Sequence, residues 1–365
     1  MVCKLPLFYE IEMDLKELVI IDASTVLAGP SVGMFFAELG AKVIKVEHPL
    51  HGDVTRKWKL PTEDKNSSVS AYFSAVNYKK EYQKLDYTIE ADYNQFLKLV
   101  EQADILITNF KKGDAEKFNL TDDVLFAKNP QLIHGKISGF GKHSDRVAYD
   151  LIVQAESGFM SMNGTPESGP VKMPVALIDV LTAHQLKEGL LVALINRIST
   201  CKGGVVEASL YESAVASLIN QATNYLHENF IPQRIGSLHP NIAPYGEIFK
   251  TKDQHYITFA IGSNTHFEKL CSFLNLSELT HDARFSDNQS RVINRFLLKD
   301  ILQAKIELVA ADEILEAMHL LFVPVGKIKA LDEVLNDQNT QHLVLEEQID
   351  GVLTKRLKSV VFHLN

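Results

Sequence analysis

The stretch ELVIIDASTVLAGPSVGMFFAELGAKVIKVE (17–47) decides the fold. ELVIIDAS (17–24) is a short β-branched run ending in polar residues, as a buried strand does. AGPSVGMFFAELG then reads as a helix, with Pro30 near its start and Gly40 at its end. AKVIKVE (41–47) is a second strand. The three together form a βαβ unit, which predicts a parallel sheet with a right-handed crossover. Such a start invites a dinucleotide site, with Glu47 where a ribose-binding acid would stand. The first turn argues against it: it has no G-x-G-x-x-G and puts Pro30 where the backbone should meet a pyrophosphate. NAD binding is the weaker reading.

Outward from this unit the cycle repeats. YNQFLKLVEQA (93–103) is helical and leads into the strand DILITNF (104–110); TDDVLFAKN, with Thr121 as its cap, leads into QLIHGKISGFG (131–141). The polar, aromatic segment between 65 and 90 reads as loop and sheet edge. DVLTAHQLKEGLLVALINR (179–197) places apolar residues at 186, 190, 191, 194 and 195, a long amphipathic helix. Near residue 230 turn signals cluster, and GEIFK and HYITFAI flank TKDQ as a hairpin. The division expected is a large α/β domain over 1–200, a linker over 201–230 and a small α+β domain over 231–322. The segment 323–365 is expected to return to the large domain.

The chain has 365 residues, 46% of them hydrophobic and 23% charged, which describes a globular protein able to bury a core without staples. A formal charge of −9 argues against nucleic acid or an anionic membrane as partner, while leaving room for a local basic pocket. No apolar run approaches the roughly 18 residues of a membrane span, and the first residues lack a signal peptide's apolar core. Met13 offers an alternative start. The three cysteines, Cys3, Cys201 and Cys271, are odd in number and far apart, which disfavours a disulfide framework and points to a reducing cytoplasm.

The common catalytic signatures are missing. There is no H-E-x-x-H, C-x-x-C or Walker A sequence, so no metal site is expected. HGKISGFGK (134–142) carries Lys136 and Lys142 among glycines, but two glycines after a strand are most often a turn. Asp179 stands between the apolar run PVALI and a long helix. Its bland reading is an N-cap accepting the first free N–H groups. The sharper one is a carboxylate held ionised at a strand-to-helix junction and aimed outward as a nucleophile. The residues alone leave both open.

Taken together, VLAGPSVGMFFAELGAKVIKVEHPLHGDVTR (26–56), ADILITNFKKG (103–113), NPQLIHGKISGFG (129–141), YDLIVQAESG (149–158), VALID (175–179), HPNIAPYGEIF (239–249) and VPVGKIKALDEVL (323–335) resemble, in order, the segments of the family III CoA-transferases. That group includes formyl-CoA, carnitine and bile-acid CoA-transferases and the related α-methylacyl-CoA racemases. The resemblance implies a Rossmann-like large domain, a smaller α+β domain and an interlocked homodimer. It implies an acyl-CoA donor and a carboxylic acid acceptor as substrates, with no tightly bound cofactor, and aspartyl anhydride and aspartyl-CoA thioester intermediates on Asp179. It also carries over a CoA site: Val26, Leu27 and Ala28 after the first strand, Asn109, Phe110 and Lys117 in the second nucleotide segment, and Gly139 and Phe140 beside the pantetheine. His48 and Arg56 are further phosphate candidates. Lys117 stands where arginine is usual, NFKKG replaces NFRPG, Ala183 replaces a glycine, and GKHSD (141–145) replaces a glycine-proline ending. The glycine-rich lid of formyl-CoA transferases is absent, which makes the carnitine and succinyl-donor branches the nearer match.

Two other functions compete. A racemase-type isomerase uses a histidine directly before an aspartate as base, where this chain reads Tyr149–Asp150. A tyrosine of ordinary pKa near 10 is a poor base at neutral pH, although Asp150 and Asp179 remain a carboxylate pair. A non-catalytic acyl-CoA binder would have no need of Asp179.

Overall fold

The computed structural model describes residues 14–363. Six parallel strands form the main sheet: β1 (Val19–Asp22), β2 (Lys42–Glu47), β3 (Lys80–Lys84), β4 (Ile105–Thr108), β5 (Ile133–Ser138) and β6 (Gly204–Ser209), in the order β3-β2-β1-β4-β5-β6. The strand order reverses between β1 and β4, which opens a crevice beyond the C-terminal ends of those two strands.

Burial on both faces makes the central strands near-continuous apolar runs. Ile20, Val43, Ile105, Ile107 and Ile133 pack against Val32, Phe35 and Phe36 of the helix Ala28–Glu38 and Leu186, Leu190 and Leu194 of the helix Leu177–Thr200. The alternate residues Ile21, Ile44 and Leu106 pack on the other face against Phe96, Leu97 and Val100 of the helix Glu90–Gln102. The polar strand KEYQK is β3, an outer strand of the sheet.

The chain divides into two compact units. The first holds the described residues up to Asn163, Pro170–Gln233 and those from His342 onward; the second holds Gly164–Gly169 and Arg234–Gln341. This corrects the expected division. The segment 201–230 is no linker: it supplies β6, paired along its length with β5, and the helices Leu210–Ala216 and Ile219–Glu228. Its entry is tight, since a Cβ on Gly203 would lie 1.8 Å from the Leu132 carbonyl oxygen. Nor does the chain leave the small unit at 323, because Val323 is in that unit's core and Val325 pairs with Phe259. The return begins at His342.

In the second unit β7 (Tyr245–Lys250), β8 (Tyr256–Ala260) and β9 (Val325–Lys327) form an antiparallel sheet. Phe249, Ile257 and Phe259 pack there against Phe267, Leu270, Leu298 and Met318 from its helices. In the first unit β10 (Val344–Ile349) and β11 (Val352–Leu357) make a hairpin, after which Glu38 accepts hydrogen bonds from the Ser359 and Val360 amides. Cys271 is buried and free. Among the described residues no helix is long and apolar enough to cross a membrane, and no His/Cys/Asp/Glu group is arranged to hold a metal ion.

Candidate active site

The turn after β1 sits on a buried ionic network. Asp22, Lys45 and Asp53 are fully buried, with Lys45 Nζ 3.6 Å from Asp22 and 3.4 Å from Asp53. Lys45 also donates to the Ser24 carbonyl. Lys80 Nζ donates to Asp22 Oδ2 at 2.8 Å, to the Pro30 carbonyl at 2.8 Å and to Asn77 at 3.0 Å. Burial acts to raise the Asp22 carboxyl, but Lys45 and Lys80 outweigh it and hold it down at about 2. Burial pulls Lys80 down to about 8 against the attraction of Asp22, so the pair stays ionised at neutral pH.

This network fixes a strained turn. Val26 has φ 76°, a left-handed conformation that a β-branched residue rarely adopts. Its N–H donates to Asp53 Oδ2 at 3.1 Å. One residue earlier, the Thr25 N–H donates to Asn109 Oδ1 at 3.0 Å and the Thr25 carbonyl accepts from Asn109 Nδ2 at 2.9 Å. Asn109 follows β4, so its amide ties the two lips of the crevice together. Leu27 and Ala28 then open the helix Ala28–Glu38.

Asp179 is placed differently from its sequence reading. PVALI is not a strand, and Asp179 is the third residue of the helix Leu177–Thr200. It does not cap that helix. The Ile178 N–H donates instead to Asp150 Oδ1 at 2.7 Å. Asp150 Oδ2 accepts from Gln154 Nε2 at 2.6 Å, and Gln154 Oε1 accepts from the Met173 N–H at 2.8 Å. Asp150 and Gln154 thus hold the approach to Asp179. Among the described residues nothing hydrogen-bonds to the Asp179 carboxylate, which is 8% exposed. Burial, reinforced by Asp150, pushes it up from 3.8 to about 7. Neither reading left open by the sequence, a helix cap or a carboxylate held ionised by backbone N–H groups, describes this group: desolvation and the Asp150 charge both favour its protonated form. Tyr72 feels the same charges. Burial, then Asp179 and Asp150, push its phenol up to about 12, and its ring meets Trp58 edge-on at 5.1 Å.

The end of β5 reaches the same region. Phe140 packs with Ile178, Val153 and Leu210, and a Cβ on Gly139 would lie 2.5 Å from the Ala148 Cβ, so only glycine fits there. Asn109, Phe110 and Gly139 line one cleft of about 360 Å³, together with Thr108, Lys136 and Ala148.

The other candidates fall elsewhere. Arg56 is bidentate to Glu47 at 2.8 and 2.9 Å, reaches Asp350 at 3.0 Å and lies 3.8 Å from the centre of the Phe73 ring. With the Ser68 carbonyl these take four of its five N–H donors, which weighs against its reading as a phosphate ligand. His48 stacks on His51, with Nε2 3.5 Å from Asp86, and shares with Arg56 a separate cleft of about 810 Å³. Lys117 is exposed, its ammonium 5.0 Å from the Phe118 ring, and it lines neither cleft. Sequence reasoning missed the cap made by Asp150, the phenol of Tyr72 and the position of Lys136; only Lys136 had a local signal, its place among the glycines of HGKISGFGK.

The family model described as CoA-transferase family III matches residues 15–363. The chain belongs to that family. The succinate–glutarate CoA-transferase of Agrobacterium fabrum is 34% identical over 328 residues, covering 88% of this chain and 82% of that protein. The mouse succinyl-CoA:glutarate CoA-transferase is 34% identical, over 90% of this chain and 75% of that one. A CaiB/BaiF family protein from Brucella suis has the same fold, with a TM-score of 0.83 and 35% identity over 95% of this chain and 92% of its own. This family III CoA-transferase is accordingly an enzyme, and the crevice between β1 and β4 is its candidate active site.

Proposed function

We propose that this enzyme moves CoA from an acyl-CoA to a carboxylic acid through covalent species on Asp179. The Asp179 carboxylate attacks the thioester carbonyl and the C–S bond breaks, giving a mixed anhydride and CoA thiolate. The thiolate attacks the aspartyl carbonyl, releasing the donor acid and leaving an aspartyl-CoA thioester. The acceptor carboxylate displaces the thiolate from the aspartyl carbonyl, and the thiolate then attacks the acceptor's acyl carbon, which regenerates Asp179. Each step conserves thioester energy provided water stays away. The observation that carries this reading is a buried carboxylate with no hydrogen bond among the described residues, raised to about 7, in a family III CoA-transferase. Desolvation keeps the nucleophile basic, and positioning supplies much of the remaining acceleration.

Val26, Leu27, Ala28, Asn109, Phe110, Gly139 and Phe140 are proposed to contact the CoA. Relatives named for succinate and glutarate favour dicarboxylic acids and make succinyl-CoA the first donor to try. The homodimer and the cytoplasmic location belong to the same reading. The isomerase reading is weaker, since both Asp150 oxygens already accept hydrogen bonds and Tyr149 is 50% exposed.

The test is peptide-resolved mass spectrometry after mixing with succinyl-CoA and trapping with hydroxylamine or borohydride. An adduct on the peptide containing Asp179, absent in Asp179→Ala, is expected. Exchange of the α-proton of a branched acyl-CoA with deuterated water, without any adduct, would overturn the proposal.

A further inference from the structure

We infer that Lys136 is a cation built into the CoA cleft to meet a phosphate of the CoA nucleotide, held there by Asp122, His134 and Thr108. This rests on reading the crevice as a CoA-transferase site. None of the three supporting residues was singled out by sequence, because the contacts come from two strands and a helix.

His134 and Lys136 are two apart on β5 and so face the same side of the sheet, and Thr108 at the end of β4 is the register partner of Lys136. His134 is 2% exposed. Its Nε2 is 2.9 Å from Thr108 Oγ1 and its Nδ1 is 2.8 Å from Asp122 Oδ1, while Asp122 Oδ2 accepts from Lys136 Nζ. The proton positions follow. The hydrogen bond from His134, with help from Lys136, holds Asp122 down at about 2, so it only accepts. Burial lowers His134, so the ring is neutral at pH 7. It therefore donates from Nδ1 to Asp122, and its Nε2 accepts the Thr108 hydroxyl proton. The carboxylate cannot swing away, and one of the three Lys136 donors is fixed against it.

The other two Lys136 donors have no partner among the described residues, and the side chain is 30% exposed in the wall of the cleft that Asn109, Phe110 and Gly139 also line. Lys111, Lys112, Lys142 and Arg146 line that cleft too, but so do Glu116, Asp145 and Glu207, so net charge alone does not locate an anion there. A cation of fixed position does, at the C-terminal end of a parallel strand where phosphates bind in such sheets. The phosphate candidates read from sequence leave this role open, since Arg56 is spent on Glu47 and Asp350, and Lys117 lies outside the cleft.

The test is calorimetric binding of CoA, 3′-dephospho-CoA and pantetheine to the full-length enzyme and its Lys136→Met and Lys136→Arg variants. Lys136→Met should weaken CoA about tenfold or more, as loss of a charge-assisted hydrogen bond does. It should leave pantetheine unchanged, and Lys136→Arg should recover most of the CoA affinity. Dephospho-CoA names the phosphate: an effect lost with it assigns the 3′-phosphate, an effect kept assigns the pyrophosphate. Asp122→Asn should weaken CoA in the wild-type background but add little to Lys136→Met, a coupling that a general structural role would not produce. If Lys136→Met fails to fold, Lys136→Gln carries the same comparison. Unchanged CoA affinity, or equal weakening of CoA and pantetheine, would overturn the inference. A wild-type enzyme that forms the Asp179 adduct while Lys136→Met binds CoA normally leaves the proposed function standing and sinks only the role of Lys136; failure of the wild type to bind CoA sinks both.

Discussion

Replacing Asp179 by asparagine should stabilise the protein at alkaline pH, by an amount the structure sets. In the fold its carboxyl is raised from 3.8 to about 7, by burial first and Asp150 second. Over that window the folded state holds a proton that the unfolded state has lost, so stability falls as pH rises from about 4 to about 7 and is level above. The full cost at alkaline pH is ~4 kcal/mol. Linkage puts roughly 3 kcal/mol of it between pH 5 and pH 8. Asparagine cannot ionise, so its own packing effect is the same at both values and cancels in the comparison. The assay is urea unfolding of wild type and Asp179→Asn at pH 5 and pH 8. Fluorescence of Trp58, the chain's single tryptophan, reports it from the same unit, beside Tyr72. The gain in stability of the variant should be larger at pH 8 by roughly 3 kcal/mol. A gain equal at both pH values would refute the reasoning, because it would mean that Asp179 is ionised throughout.

Two further substitutions probe the supports. Asp150→Asn still accepts from the Ile178 N–H but turns an NH₂ toward the Gln154 donor and removes the neighbouring charge; the pH midpoint of Asp179 trapping should drop below about 7 while burial keeps it above 3.8, and turnover at pH 8 should fall about tenfold through misplacement. Lys45→Met strips Asp53 and Asp22 of a buried counter-charge; the thermal unfolding midpoint should collapse, as befits a cost of about 3–5 kcal/mol.

Elements fixed by short-range pattern were legible. Strand 17–24, its helix and strand 41–47 each bury one contiguous apolar run, so period and caps sufficed. The assignment of 201–230 to a linker fails because β6 is an outer strand whose intermediate–exposed alternation gives no buried apolar run. The site divided along the same line. Asp179 was found by position, but its state depends on a cap supplied 28 residues away. Arg56 was read as a free cation because its partner Asp350 lies 294 residues further on. Lys136 was set aside as part of a turn, since the contact that fixes it comes from Asp122 on another element.

The division of labour between Asp150 and Asp179 has a physical logic. A carboxylate that caps its own helix has its lone pairs committed to N–H groups and titrates low, so it is a weak base and a poor nucleophile. Asp150 takes the Ile178 N–H. Among the described residues both Asp179 oxygens are thereby left without a hydrogen bond in a buried position, where the carboxyl reaches about 7. At neutral pH such a group is ionised in a substantial fraction of molecules, yet far more basic than an exposed aspartate, and so more reactive toward a thioester. The fold bears the cost as the pH-dependent loss of stability described above. A lysine hydrogen-bonded to Asp179 would remove that cost and, with it, the basicity on which the proposed attack draws.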